Sequence, residues 1–279
     1  MNKSEEAKES LYLELKRIRA EAKKEYNPKN ISFDPDKLQK RISRSEHLVD
    51  FNDIQLDKGW LEKYFKEFIL SLKKFTKENG SFIEKYEDSF ERDKLDLEIL
   101  TKKVFIGDSD YLKNLASELG VEDKDLFFIG LELGRPVFEL YAEKLKGKVQ
   151  PDNWGKGNCP VCGSNPAMAY LREDDGKRIL WCQFCGTEWS FMRIKCPFCS
   201  NDDHDTLRYF FTDEKSPYRV DVCDKCIKYI KTVDQRKIEE GVDLDLYWES
   251  IKTYPMDLVA QKEGFSNPQT SGKRKGAII

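Results

Sequence analysis

The sequence predicts an α+β protein: an N-terminal all-helical domain, then two tandem β modules each organised by four cysteines, then a C-terminal helix. Three observations predict it. Residues 1–150 contain no cysteine and carry apolar side chains at helical spacing. All eight cysteines lie between Cys159 and Cys226, arranged as four Cys-x-x-Cys pairs. Between the pairs, short alternating runs flank turn residues, which is the pattern of β-hairpins.

In chain order, the first helix shows a stripe of Leu11, Leu15, Ile18 and Ala22 and ends near Asn27 and Pro28. A stronger stripe runs from residue 57 to about 77, where Leu61, Tyr64, Phe65, Phe68, Leu72 and Phe75 recur at three and four residues and mark a core-facing side. Further helical segments follow at 82–90, 95–105, 111–119 and 126–145. Asp123 suits the N-cap of the last and Gly147 its end, while Pro136 inside it predicts a kink or two abutting helices.

At Pro151 the texture changes to Trp, Gly, Asn and Pro, so the helical domain is drawn as 1–150. Residues 167–171 and 178–182 flank a Glu173-Asp174-Asp175-Gly176 turn and form the hairpin of a first module, 151–193. The runs 206–211 and 218–222 repeat the plan in a second module, 194–240, with a further short strand at 227–233. Residues 241–265 read as a C-terminal helix broken at Pro255, and 266–279, with Lys273, Arg274 and Lys275, as a flexible, solvated tail.

Charged residues make up 35% and apolar ones 39% of the 279 residues, a balance that suits a soluble folded protein. The formal net charge of −3 offers no overall electrostatic footprint for nucleic acid, so no nucleic-acid partner is expected. No apolar run approaches the roughly 18 residues of a membrane span, and the charged first residues lack a secretory pattern. Membrane insertion is therefore not expected, and the expected location is the cytoplasm. There thiols stay reduced, and clustered cysteines are read as metal ligands rather than disulfides.

Two intervening residues let one tight turn aim both sulfurs of a Cys-x-x-Cys pair at one ion, and two such turns complete a tetrahedron. Gly163 and Gly186, directly after their second cysteines, supply the backbone freedom such knuckles use. The favoured grouping takes Cys159, Cys162, Cys182 and Cys185 as one site and Cys196, Cys199, Cys223 and Cys226 as the other. An interleaved grouping, first pair with third and second with fourth, also satisfies the spacing. Two metal ions per chain are expected, Zn(II) by preference, with a single rubredoxin-like iron in each site as the alternative.

Four thiolates fill a tetrahedral shell and leave no position for a catalytic water, which argues against hydrolytic metal chemistry. No catalytic residues emerge elsewhere: no nucleophile stands beside a base, and Gly130-x-x-x-Gly134 sits inside a helix rather than after a strand. The protein is therefore expected not to be an enzyme. His47 reads as structural or exposed, and His204 as a loop residue near the second site. Trp181, Phe184, Trp189, Phe191, Arg193, Ile194 and Lys195 interleave aromatic and basic side chains in the connector between the sites. They suit either a small core shared by the knuckles or a partner-binding surface, with Trp189 and Arg193 as its anchors.

These residues carry a resemblance. Asp152-x-Trp154 leading into Cys159-Pro160-Val161-Cys162-Gly163-Ser164-x-Pro166, Leu180-x-Cys182-x-x-Cys185-x-Thr187-Glu188-Trp189 and Arg193-x-Lys195-Cys196-Pro197-Phe198-Cys199 resemble the formate dehydrogenase accessory protein family, the FdhE type. The likeness continues through 218–226, Tyr229-x-Lys231-Thr232-Val233-Asp234, Asp257-Leu258 and Glu263-Gly264-Phe265. It implies a cytoplasmic, non-enzymatic maturation chaperone that binds the catalytic subunit of a molybdenum or tungsten formate dehydrogenase. It also implies two rubredoxin-like modules, which hold iron in some members, and the sequential grouping of the cysteines. The competing readings are a rubredoxin-like iron protein for electron transfer and a zinc-ribbon nucleic-acid binder.

Overall fold

The computed structural model describes residues 3–27, 31–50, 53–75, 81–211, 213–239 and 241–267. The expectations that fall on Pro28, on Lys77 and on 268–279, with Lys273, Arg274 and Lys275, lie outside the described residues. The chain divides into two compact units, and the division is discontinuous: Asp34–Asp50 groups with the region from Ala142 onward, while the rest up to Tyr141 forms a helical unit.

The helical unit begins with α1 (Lys3–Glu25); α2 (Pro35–Ser43) belongs to the other unit, and α3 (Lys58–Phe75), α4 (Ser81–Glu91), α5 (Leu97–Ile106), α6 (Ser109–Leu119) and α7 (Asp123–Lys144) complete it. The stripe on α3 is core, with Leu61, Tyr64, Phe65, Phe68 and Leu72 all buried. Pro136 does not divide α7, which is one helix from Asp123 to Lys144. Gly130 and Gly134 set the approach of α7 to α5. A Cβ on Gly134 would lie 2.2 Å from Phe105 Cε2, and one on Gly130 2.6 Å from Val104 Cγ2. The spacing is thus a packing device, and beside it the Phe105 and Phe138 rings stack at 3.5 Å.

The second unit is built on one six-stranded sheet in the order β3-β2-β1-β6-β5-β4. Its strands are β1 (Met168–Leu171), β2 (Arg178–Trp181), β3 (Glu188–Phe191), β4 (Leu207–Phe210), β5 (Tyr218–Cys223) and β6 (Lys228–Asp234). Each module is an antiparallel three-stranded meander, and the two meanders join through parallel pairing of β1 with β6, Met168 opposite Lys231 and Leu171 opposite Asp234. The tandem hairpins read from sequence are therefore halves of one sheet. The strand β3 was hidden by the aromatic connector, although Glu188-Trp189-Ser190-Phe191 alternates exposed and buried side chains as an edge strand does.

The C-terminal helix divides into α8 (Leu246–Lys252) and α9 (Tyr254–Lys262), because Pro255 is tolerated in the first turn of a helix and not in its interior. Met256 and Ala260 of α9 pack on Val220, Val222 and Tyr229 of the sheet. Within that contact Lys231 Nζ is buried against Asp257 Oδ2 at 2.5 Å and donates to Ser250 O, and Tyr229 donates to Asp257 Oδ1 at 2.8 Å. Each charge is thus paired and hydrogen-bonded, as a buried ion must be.

Candidate metal centres

Each Cys-x-x-Cys forms the same backbone knuckle. The N–H four residues after the first cysteine returns to that cysteine's carbonyl: Gly163 to Cys159 (2.9 Å), Gly186 to Cys182 (2.9 Å), Ser200 to Cys196 (3.0 Å) and Ile227 to Cys223 (2.9 Å). Closing so tight a turn puts those residues in the left-handed region, with φ of 73°, 69°, 62° and 53°. Glycine reaches this region without a steric cost, whereas Ser200 and above all the β-branched Ile227 do not.

The knuckles face one another in sequential pairs, so the interleaved grouping is not the one adopted. Cys159, Cys162, Cys182 and Cys185 form one quartet and Cys196, Cys199, Cys223 and Cys226 the other, with the sulfurs of each within 4.8 Å of one another. Across the first, Cys159 Sγ is 3.5 Å from Cys185 Sγ and Cys162 Sγ 3.5 Å from Cys182 Sγ; across the second the separations are 3.6 Å (Cys196 to Cys226) and 3.7 Å (Cys199 to Cys223). A disulfide needs about 2.05 Å. Four thiolates at about 2.3 Å from a tetrahedral ion stand about 3.8 Å apart, so these quartets have the size of metal sites. They are able to bind two metal ions.

The sulfurs have polar neighbours of the kind that steady thiolate ligands. Ser164 Oγ lies 3.1 Å from Cys162 Sγ and Thr187 Oγ1 3.0 Å from Cys185 Sγ, while the Asn201 side-chain amide approaches Cys223 Sγ at 3.5 Å. Burial pushes the thiols of Cys159 and Cys185 well up, so that a lone thiolate is strongly disfavoured in the first quartet. In the second, the hydrogen bond to Cys226 holds Cys196 down to about 5, with Cys226 raised in return. A dication held at the centre would override both patterns, because a coordinating thiol is deprotonated outright.

The clusters differ in cover. All four cysteines of the first are buried, whereas Cys199 is exposed and Cys226 half-buried. The first is crossed by the segment after α2: Leu48 N–H donates to Pro160 O (3.0 Å) and Val49 N–H to Val161 O (2.8 Å). His47 lies on this knuckle, its ring so close that a Cβ on Gly163 would meet Cγ at 2.8 Å. Burial, then the charge of Arg41, lowers its imidazole pKa. Sequence reasoning missed this strap. The available signal was Asp34-Pro35, a capping residue followed by proline, and Asp34 does cap α2 by accepting from the N–H groups of Asp36 and Lys37.

Of the remaining singled-out residues, His204 is 82% exposed and stands 3.4 Å from Asp205. Trp189 is 1% exposed and its Nε1 donates to Lys156 O, while Trp181, Phe184 and Phe191 are buried too. The connector's aromatics are therefore core. Arg193 and Ile194 stand exposed at its surface.

The family model for the FdhE central domain matches residues 158–193. An FdhE homologue of Aquifex aeolicus is 36% identical over 160 residues, 56% of this chain and 53% of that protein. The FdhE protein of Escherichia coli K12 is 31% identical over 111 residues, 39% of this chain and 34% of that protein. The chain thus spans about half the length of the first relative and about a third of the second. A crystal structure of the FdhE protein from Pseudomonas aeruginosa matches with a TM-score of 0.62 at 17% identity, covering 91% of this chain and 84% of that one, which is a likeness of fold. Among the described residues no helix is long and apolar enough to cross a membrane.

Proposed function

We propose that this chain is a member of the FdhE family and, on that premise, a non-enzymatic, metal-binding maturation chaperone for the catalytic subunit of a molybdenum or tungsten formate dehydrogenase, acting in the cytoplasm. The observation that carries the reading is the pair of four-sulfur quartets, one in each half of a single sheet. Residues Cys159, Cys162, Cys182 and Cys185 would hold one ion and Cys196, Cys199, Cys223 and Cys226 the second. Zinc is the preferred ion, with iron as the alternative. With four protein ligands each shell is closed, so the ion supplies shape rather than an activated water. The modules 151–193 and 194–240 then make a rigid platform whose Arg193 side meets the partner, with Trp189 supporting that surface from beneath.

Affinity capture in the native host tests the partner. Tagged protein is expected to retain a formate dehydrogenase catalytic subunit, and capture that never yields one refutes the chaperone reading. The exposure of Cys199 favours a second reading, because an exposed ligand gives a redox-active iron a short path to a partner. Iron in the purified protein with a colour that bleaches reversibly on reduction supports electron transfer; zinc in both sites dismisses it.

A further inference from the structure

Beside the second quartet the sheet carries a cavity of about 470 Å³. Its floor is the face opposite α9, where Tyr209, Asp221 and Ile230 stand in register across β4, β5 and β6. Its wall is the connector from Arg193 to Phe198. At the bottom lies Arg178, 4% exposed. One of its nitrogens, Nη1, donates to Lys195 O at 3.2 Å. The other two, Nε and Nη2, find no hydrogen-bond partner among the described residues, and Nη2 is only within 3.5 Å of Asp221 Oδ2. A buried guanidinium with unsatisfied donors is costly, and such an exception calls for a reason.

The surroundings supply one. Asp221 is the one carboxylate among the described residues lining the cavity. It is already engaged by Arg219 Nε at 2.9 Å and by the Thr232 hydroxyl at 2.6 Å. Arg208 is taken by Asp224 through two bonds of 2.7 Å. Arg178 has only that shared carboxylate, at 3.5 Å, and among the described residues the lining offers no second one for Arg193, Lys195 and Lys228. Around its mouth stand apolar groups, Ile194 at 63% and Tyr209 at 58% exposure.

We propose that this cavity binds an acidic peptide segment of a partner protein, with one carboxylate side chain entering to take the Nε and Nη2 donors of Arg178 as a two-pronged pair. The fork of a guanidinium matches the two oxygens of a carboxylate. Lys195 and Lys228 add charge around it, and Ile194 and Tyr209 give the flanking apolar residues a surface. A nucleic acid would want a track of cations spaced along a backbone, whereas here a single buried guanidinium is the deepest donor and only three uncommitted cations line the same cavity. The inference rests on the partner-binding reading above and names the chemistry of the contact.

The test uses the full chain with its metal, and fluorescence anisotropy of a labelled hexapeptide of alternating leucine and glutamate. Its glutamine counterpart, inorganic phosphate and an octathymidylate serve as the other arms. Saturable binding at least tenfold tighter than that of the glutamine peptide is expected, with at least a tenfold loss in Arg178→Gln while both metal equivalents are kept. Should Arg178→Gln fail to fold, the surface double variant Arg193→Glu, Lys228→Glu is expected to weaken the glutamate peptide to the level of the glutamine one. Equal binding of the two peptides, binding undiminished in the variants, displacement by equimolar phosphate or tighter binding of the octathymidylate each overturns the proposal. Because the peptide assay is independent of affinity capture, absence of a formate dehydrogenase subunit from the capture, with peptide binding intact, would remove the partner's identity and leave the site.

Discussion

Around the first quartet every sulfur is buried, two glycines close the knuckles, and the strap after α2 lies across them. Around the second, Cys199 is exposed, Ser200 and Ile227 close the knuckles, and α9 packs on the sheet rather than over the sulfurs. The same four-thiolate chemistry is thus embedded twice in different supports. The first module is short of regular structure, its strands being four residues each, and would depend on an ion in its quartet for shape. The second has the longer strands β5 and β6 and a buried ion pair to hold them, so its fold has an anchor that no metal provides.

The sharpest way to break this contrast is to remove one ligand pair at a time. Cys182→Ser with Cys185→Ser is expected to lose one metal equivalent and the amide protection of β2 and β3. A structural four-thiolate ion contributes on the order of 10 kcal/mol or more to folding. Cys199→Ser with Cys226→Ser is expected to lose the other equivalent, yet to keep protection in β6, where α9 still packs. Metal analysis and hydrogen exchange read both results. Retention of both equivalents in either variant removes the ligand assignment, and equal loss of protection in both removes the contrast.

The anchor itself is the next target. Burial lowers the pKa of Lys231, and Asp257 works against that shift. Asp257→Ala leaves the ammonium buried and unpaired, at a cost of about 3–5 kcal/mol. Thermal and denaturant unfolding should show that loss, with β6 and α9 exchanging together and the first ion retained. A smaller effect concerns access. Under a chelator the second ion is expected to leave before the first, and Leu48→Pro, which removes the N–H donating to Pro160 O, should narrow the gap. Release of the first ion ahead of the second would reverse the roles assigned to strap and exposure.

Much of this was legible in the sequence, and the exceptions share a cause. The apolar stripe of α3 and the Cys-x-x-Cys pairs are local signals, each readable within one or two turns of chain. The pairing of β1 with β6, which makes two modules one sheet, joins residues about sixty apart in the chain, and no local pattern encodes it. The strap is similar: Leu48 and Val49 find their partners more than a hundred residues later. Trp189 suits either a shared core or an interface anchor when read locally, and its neighbours on β2 with the Lys156 carbonyl decide for the core. Tyr229, Lys231 and Asp257 are parts of a family-like pattern in the sequence; only the fold shows them to be one buried network.

The smallest expected effect is also the most direct probe of how differently the knuckles are built. Ile227 holds φ 53° although its side chain is 48% exposed, so it pays a left-handed backbone cost with little burial in return. That cost is about 1–2 kcal/mol for a residue with a side chain, and glycine avoids it while adding roughly 0.5–1 kcal/mol of unfolded-state entropy. The backbone bonds of Ile227, its N–H to Cys223 O and its carbonyl from Ser266 N, survive the change. Ile227→Gly should therefore stabilise the second module by a fraction of about 1 kcal/mol. Gly186→Ala at φ 69° has open space for its Cβ, so it carries the backbone cost alone and should destabilise the first module by about 1 kcal/mol. Paired chemical denaturation of the two variants reads the signs. Opposite signs mean that the second knuckle carries strain the first has avoided, and a destabilised Ile227→Gly would mean that its exposed side chain contributes more than its backbone costs.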